Sequence, residues 1–311
     1  MDAHGIQLSK PPGVKPEASF FNITNSLNLI ASLSPTRELR LATVLILLNL
    51  VFFRLASVLT RKPIFPRPPA SDKHPTHVLV VLGSGGHTAE MLNMLSQAPR
   101  FQLDFTYRTY LVSSGDSFSA LKAHEFEKSM LSQLHNVASS VPEGTSSNYD
   151  VVTVHRARRV YQSILTAPIS SLQCLWDCSA VLRGTHRDYK PLRNETGKAG
   201  FCERARGYPD LILTNGPGTG VIVILASIIL LFFGFGGPSS SALSILSDRS
   251  HRLHPQSGQM RSIFIESWAR VKTLSLSGRL LKPFVDRFLV QWPQLVEAEG
   301  KRVEYIGPLV T

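Results

Sequence analysis

Residues 77–90 read His77-Val78-Leu79-Val80-Val81-Leu82-Gly83-Ser84-Gly85-Gly86-His87-Thr88-Ala89-Glu90, an apolar run of β type that meets three glycines just before a helix should begin. Glycines at such a junction let the backbone turn sharply and approach a ligand, and the free N–H groups and positive dipole end of the next helix attract an anion. Gly83, Ser84, Gly85, Gly86 and Thr88 therefore form a candidate phosphate cradle; the alternative is a tight strand-to-helix turn with no ligand. The loop is not the dinucleotide fingerprint, which needs glycine where Thr88 stands, and no Gly-Lys-Ser/Thr follows to make a Walker loop. His87 can donate to a phosphate or act as a general base near neutral pH. It can also simply cap the turn.

The theme recurs. Asp210-Leu211-Ile212-Leu213-Thr214-Asn215-Gly216-Pro217-Gly218 is again a strand leading into a glycine turn. Thr214, Asn215, Gly216 and Gly218 form a second candidate cradle, or only a helix-entry turn, and the Asn215 amide can bond a sugar or a phosphate. Glu266 ends the apolar run Ser262–Glu266, so its carboxylate either faces the crevice at the strand edge, where it can orient a sugar hydroxyl, or is solvated. Arg156, Arg158, Arg159, Arg270 and Lys272 can meet a diphosphate or an anionic lipid, or are solvated. Trp292, followed by Pro293, reads as a packing residue.

The elements that must position these residues alternate between strand and helix. Strands are expected at 78–82, 107–113, 151–154, 210–214, 262–266, 287–290 and 303–307, with helices at 88–96, 117–127, up to 182, 221–233 and 278–286. This succession predicts an α/β, Rossmann-like doubly wound parallel sheet with ligands at the C-terminal strand edge. Helix 221–233 is apolar on all sides yet short for a membrane span, so it reads as a core helix that can also touch the bilayer. Leu41–Leu59 is long enough to cross a bilayer as one transmembrane helix, with Arg54 able to snorkel at its end. Arg61, Lys62, Arg67 and Lys73 follow it, against Arg37 and Arg40 before it, which places the main domain on the cytosolic side. The expected organisation is a disordered lumenal tail over 1–40, the span over 41–59, a basic Pro-rich linker over 60–75, and one domain over 76–311 with loop insertions near 183–206 and 236–260. Acceptor triplets for N-glycosylation stand at Asn22-Ile23-Thr24 and Asn194-Glu195-Thr196.

The 311 residues carry 33 Lys and Arg against 22 Asp and Glu, a formal charge of +11 that favours anionic partners. Zinc-finger spacing and RNA-recognition aromatics are missing, so nucleic acid is not an expected partner. Cys174, Cys178 and Cys202 have neither the number nor the spacing for a zinc site, and no metal is expected.

The blocks Gly83-Ser84-Gly85-Gly86-His87-Thr88-x-Glu90, His155-Arg156-Ala157-Arg158-Arg159-Val160-x-Gln162-Ser163, Asn215-Gly216-Pro217-Gly218-Thr219, Glu266-Ser267-x-x-Arg270-Val271-Lys272-Thr273-Leu274-Ser275-Leu276-Ser277-Gly278 and Val290-Gln291-Trp292-Pro293 occur in that order. Together they resemble the family of membrane-anchoring subunits of the eukaryotic UDP-N-acetylglucosamine transferase of dolichol-linked oligosaccharide synthesis. The resemblance implies the N-terminal half of a split GT-B glycosyltransferase, inactive alone and without a cofactor. It further implies a soluble catalytic subunit that binds UDP-GlcNAc as partner, docked around Tyr305–Val310. Dolichyl-diphosphate-GlcNAc would be the acceptor, and the location a single-pass protein of the endoplasmic reticulum membrane and the nuclear envelope membrane, with its domain in the cytosol. Gly83 to Thr88 would then grip the acceptor diphosphate, and His87 and Glu266 would be the catalytic candidates. The alternatives are a membrane-bound NAD(P)-dependent reductase, against which no tyrosine is followed by lysine four residues later, and a membrane scaffold that binds no substrate.

Overall fold

A computed structural model describes residues 35–60, 76–98, 100–137, 148–158, 162–163, 165–189, 206–236, 259–300 and 302–308. Residues 1–34 of the tail expected over 1–40, residues 61–75 of the linker expected over 60–75, both acceptor triplets, Arg159, Cys202 and residues 237–258 lie outside them. The chain divides into two compact units, residues 1–56 and 57–311.

Helix α1 spans Pro35–Leu59, so it starts six residues before the apolar run, with proline at the first turn where its missing N–H costs nothing. Its segment Arg37–Leu59 is 23 residues and apolar enough to cross a membrane. At 1.5 Å per residue it reaches about 35 Å, against a hydrocarbon core of about 30 Å. The polar groups inside it turn back on the helix. Thr43 Oγ1 donates to the Leu39 carbonyl and Asn49 Nδ2 to the Leu45 carbonyl, both at 2.8 Å, which leaves an apolar exterior that includes exposed Phe52 and Phe53.

The second unit is built on seven strands: β1 His77–Leu82, β2 Tyr107–Ser113, β3 Tyr149–Val154, β4 Leu211–Thr214, β5 Arg261–Ile265, β6 Arg287–Val290 and β7 Glu304–Tyr305. They form one sheet in the order β3-β2-β1-β4-β5-β6-β7, every pairing parallel. Val80 sits opposite Tyr110 on one side and Leu213 on the other, in the centre of the sheet. Every residue of β1 and β2 is buried, as expected of parallel strands covered on both faces.

The helices of this unit are α2 Gly86–Ser96, α3 Phe101–Asp104, α4 Ser117–Val137, α5 Ala167–Leu182, α6 Thr219–Phe232, α7 Leu276–Leu281 and α8 Pro293–Glu299. Strand alternation sorts the core into two layers. Val78, Val80 and Leu82 join Met91 and Leu95 of α2 and Phe126 and Met130 of α4 in one apolar cluster. The buried side chains of α5 and α6 belong to no part of it; those helices pack on each other, and α7 packs on α6. The strand order reverses between β1 and β4, where an open α/β sheet leaves a crevice at its carboxyl edge.

Several details differ from expectation. Helix α4 runs ten residues past Glu127, and α3 and α8 were not foreseen. The helix expected at 278–286 is Leu276–Leu281, because Ser275 caps it by accepting from Gly278 N at 2.9 Å and Pro283 cannot extend it. The terminal strand shrinks to Glu304–Tyr305. The ends of the 183–206 stretch are packed, not free: the Arg206 guanidinium lies 5.1 Å over the Tyr189 ring, and its Nε donates to Asp150 at 2.9 Å. Helix α6 is a core helix, burying Val223, Ile224, Ala226 and Ile228; its 14 residues reach about 21 Å, too short to span a bilayer.

Candidate functional site

The two glycine turns meet. They follow β1 and β4, neighbours in the sheet, so Gly83 and Gly216 lie back to back at the point where strand order reverses. A Cβ on Gly83 would come 2.8 Å from His87 Cβ and 3.1 Å from Gly216 Cα; one on Gly216 would come 2.9 Å from Gly83 Cα. Each glycine is required by the other's backbone as much as by any ligand. Gly85 and Gly218, at φ of 65° and 66°, supply the left-handed residues that precede α2 and α6. Neither helix start is capped by a side chain.

The predicted cradle separates into surface and support. Ser84, Gly85 and Gly86 are exposed at the mouth of the turn, free to approach a ligand. Thr88 is fully buried: its hydroxyl bonds the Gly83 carbonyl and, at 2.7 Å, the Ser119 hydroxyl, which itself donates to Asp116. Thr88 thus shapes the loop from beneath and does not face a ligand. Thr214 is likewise buried, and a Cβ on Gly220 would strike its hydroxyl, so it packs the start of α6.

His87, Asn215 and Glu266 do come together. They line one cleft of about 200 Å³ with Pro217, Phe264, Ser267, Ala269, Arg270 and Ser275. Asn215 is buried, and its Nδ2 donates to the His87 carbonyl at 2.7 Å. That bond fixes which way the amide faces, because only nitrogen can donate to a carbonyl; Oδ1 is left buried with no partner among the described residues. His87 is 30% exposed in its side chain, with Nδ1 buried and 3.8 Å from Glu90 Oε2. Burial holds the imidazole below its usual pKa; the Glu90 carboxylate opposes that shift and the Arg270 guanidinium adds to it. A neutral ring with a carboxylate beside Nδ1 favours the proton there, which leaves Nε2 as the nitrogen with a free lone pair.

Glu266 is 1% exposed and serves the loop that follows it. Its carboxylate accepts from Ser275 N and Ser275 Oγ, each at 3.1 Å, and from Ser267 N at 3.3 Å, closing residues 267–275 into a turn. Burial raises its pKa and these donors pull it back. A Cβ on Gly278 would overlap the same carboxylate, so the glycine at 278 makes room for it.

Glu90 does the equivalent on the other side, a role that reading the residues had not assigned. Its Oε1 accepts from Trp268 N at 2.6 Å and from Gln291 Nε2 at 2.5 Å, and Gln291 also donates to the Glu266 carbonyl at 3.0 Å. The signal was available: Glu90 stands three residues after His87, a spacing that places both on one helix face. Trp292 is indeed a packing residue, its ring 4.2 Å from that of Trp268 and its Nε1 donating to the Trp268 carbonyl at 2.7 Å. Arg270 is exposed and lines the cleft; Lys272 is exposed two residues on and is not part of its lining. Arg156 and Arg158 flank Ala157, which packs under the second turn at Gly218.

Two glycine turns joined at the switch point of a parallel sheet, with His87 and the buried Asn215 beside them, define a Rossmann-like α/β protein with a cleft at the strand edge. Residues 78–309 match the family model described as "Oligosaccharide biosynthesis protein Alg14 like", and the chain belongs to that family. Relatives named UDP-N-acetylglucosamine transferase subunit alg14 include one from Aspergillus fumigatus, 44% identical over 235 residues, covering 70% of this chain and 100% of that protein. One from Schizosaccharomyces pombe is 37% identical, covering 76% and 86%, and one from Rattus norvegicus is 30% identical, covering 84% and 93%. No solved structure gives a significant match.

Proposed function

We propose that this chain is the membrane-anchored, non-autonomous half of a UDP-GlcNAc-dependent transferase. In this reading it presents dolichyl-diphosphate-GlcNAc on the cytosolic face of the endoplasmic reticulum to a soluble catalytic subunit that holds UDP-GlcNAc and adds the second GlcNAc. The observation that carries the reading is the cleft itself, in which His87 at the start of α2, Asn215 and Pro217 of the second turn, and Arg270 line one space, in a chain related to proteins named as subunits of that transferase. The exposed turn Ser84–Gly86 and the start of α2 suit a diphosphate, with Arg270 beside it as a cation. Asn215 Oδ1 suits an N–H or O–H of the acceptor sugar, since a buried oxygen without a partner is costly until a donor arrives. In this reading His87 Nε2 takes the proton of the attacking hydroxyl as its oxygen bonds the donor's anomeric carbon and UDP leaves. Glu90 and Glu266 act as positioning residues that hold His87 and the 267–275 turn in place. In this reading the chain supplies the N-terminal half of a GT-B enzyme and the partner its donor half.

The test is to purify the chain from membranes alone and with its bound soluble subunit, and to supply UDP-GlcNAc and a lipid diphosphate-GlcNAc acceptor. Transfer is expected from the complex only. Robust transfer by the chain alone overturns the split-enzyme reading, and acceptor binding by the partner alone reduces the chain to a scaffold.

A further inference from the structure

The block Val290-Gln291-Trp292-Pro293 closes β6, and neither β6 nor the turn after it supplies a residue to the lining of the cleft. Buried Gln291 reaches the site from behind. Its Nε2 lies 2.5 Å from Glu90 Oε1 and 3.0 Å from the Glu266 carbonyl, and because a carboxylate and a carbonyl only accept, both amide hydrogens are committed and the amide's orientation is fixed. One side chain thus ties α2, which brings His87 to the cleft, to the end of β5, which brings Glu266.

Within this bridge the Glu90 carboxylate serves two neighbours. Its side chain is only 10% exposed, a burial that is costly for a carboxylate unless donors meet it. Two donors converge on Oε1, the Gln291 amide and Trp268 N at 2.6 Å, while Oε2 stands 3.8 Å from His87 Nδ1, beyond hydrogen-bond reach. Trp268 is held on its other side as well, its carbonyl by Trp292 Nε1 at 2.7 Å and its ring 4.2 Å from the Trp292 ring. Glu90 therefore cannot swing to the histidine without breaking its hold on the 267–275 turn. The other charged groups that face His87 are Arg270, which disfavours its protonation, and Glu266, whose carboxylate is taken up by Ser267 and Ser275.

We infer that Gln291 is a positioning residue for His87: its amide keeps the Glu90 carboxylate on the 267–275 turn, so the imidazole meets a carboxylate shared with other donors and not an ion pair of its own. A histidine locked in an ion pair stays protonated near neutral pH and cannot accept a proton from an attacking hydroxyl. The bridge keeps it a base. The catalytic meaning of this role rests on the reading of His87 given under the proposed function, whereas the link from Gln291 through Glu90 to the imidazole is measurable without it.

Diethyl pyrocarbonate acylates only the neutral imidazole, so its rate of reaction at His87 in the full membrane-bound chain, read by mass spectrometry between about pH 5 and pH 8, gives the midpoint of that titration. No transfer assay is needed. Gln291→Met keeps the volume and removes both donors; Glu90 then turns towards Nδ1, and the His87 midpoint should rise by about half a unit or more. Glu90→Gln should lower the midpoint, and adding Gln291→Met to Glu90→Gln should change it little further. Gln291→Asn, which keeps an amide but is one methylene too short to reach both oxygens, should also raise the midpoint and covers the case in which the methionine variant does not fold. An unchanged midpoint in the Gln291 variants overturns the inference, as does an equal rise with and without the Glu90 carboxylate. In the complex, the Gln291 variants should move the acidic limb of the kcat profile to higher pH. A raised midpoint in a complex that transfers no sugar keeps the bridge and removes the proposed function; transfer with an unmoved midpoint does the reverse.

Discussion

At the scale of single residues the cleft depends on the state of His87. Burial and Arg270 keep the imidazole neutral, and Glu90 sits on its Nδ1 side. If Nε2 takes the proton of the acceptor hydroxyl, His87→Ala in the complex lowers kcat by on the order of 10²-fold or more, with a smaller effect on KM for the acceptor; unchanged kcat removes it from the chemistry. Glu90→Gln keeps an oxygen for Trp268 N and Gln291 but removes the charge that raises the His87 pKa, so the acidic limb of the rate profile should move to lower pH. A merely structural Glu90 would leave that limb where it is. Asn215→Asp is a separate probe: its bond to the His87 carbonyl is lost because a carboxylate cannot donate, and KM for the acceptor should rise more than kcat falls. The sequence marked His87 and Asn215 through the glycines beside them, since a turn that needs glycine is visible in composition. It could not show that Thr88 and Thr214 turn inward, because which side of a first helical turn and which face of a strand end meets the core is decided only by three-dimensional packing.

The elements were legible where periodicity was strong. Strands β2 and β6 fall where expected, and β1 and β4 within a residue, because apolar β-type runs bounded by glycine or charge have few other solutions. The short helices α3 and α8 were not, since four or seven residues carry too little pattern and are held by tertiary contacts. Their junctions yield two predictions. Gly216→Ala sets a methyl 2.9 Å from Gly83 Cα, and as backbone on both sides must move, it should cost about 1–3 kcal/mol and lower the urea midpoint. A midpoint equal to wild type would mean that the two turns can separate freely. His77, at the start of β1, is buried with Nδ1 on the Gly207 carbonyl at 3.1 Å and Nε2 on the Thr109 hydroxyl at 2.9 Å. The neutral ring satisfies both, its Nδ1–H donating and its Nε2 accepting, and burial lowers its pKa from 6.5 to about 4. Between those values the unfolded chain binds the proton and the folded chain does not, so the stability is full above pH 6.5 and lost as pH falls towards 4. Folding should be weaker by about 2 kcal/mol at pH 5 than at pH 7. His77→Gln should flatten that slope by about this amount, although His87 and His186, whose pKa values are also lowered by burial, contribute in the same direction.

For the whole molecule, the question is which side of the membrane the cleft occupies, since a donor subunit in the cytosol can meet only a cytosolic acceptor site. Among the described residues one helix is long and apolar enough to cross a membrane, and the four basic residues after it, Arg61, Lys62, Arg67 and Lys73, outweigh Arg37 and Arg40 ahead of its apolar run 41–59. Positive residues are retained on the cytosolic side, so the sheet should lie there and the N-terminal residues in the lumen. The sequence carries its own reporter of this orientation, because Asn22-Ile23-Thr24 precedes the span and Asn194-Glu195-Thr196 follows it. The modifying enzyme acts in the lumen, and a single-pass chain can present only one of these triplets there. In cells, the chain should therefore carry a glycosidase-sensitive glycan that Asn22→Gln removes and Asn194→Gln does not. A glycan on Asn194 instead would place the glycine turns in the lumen, away from any cytosolic partner, and the proposed function would fall with the orientation. If neither asparagine is modified, a triplet engineered into the first 20 residues, compared with one engineered into 190–205, decides the same point, because only the orientation differs between them.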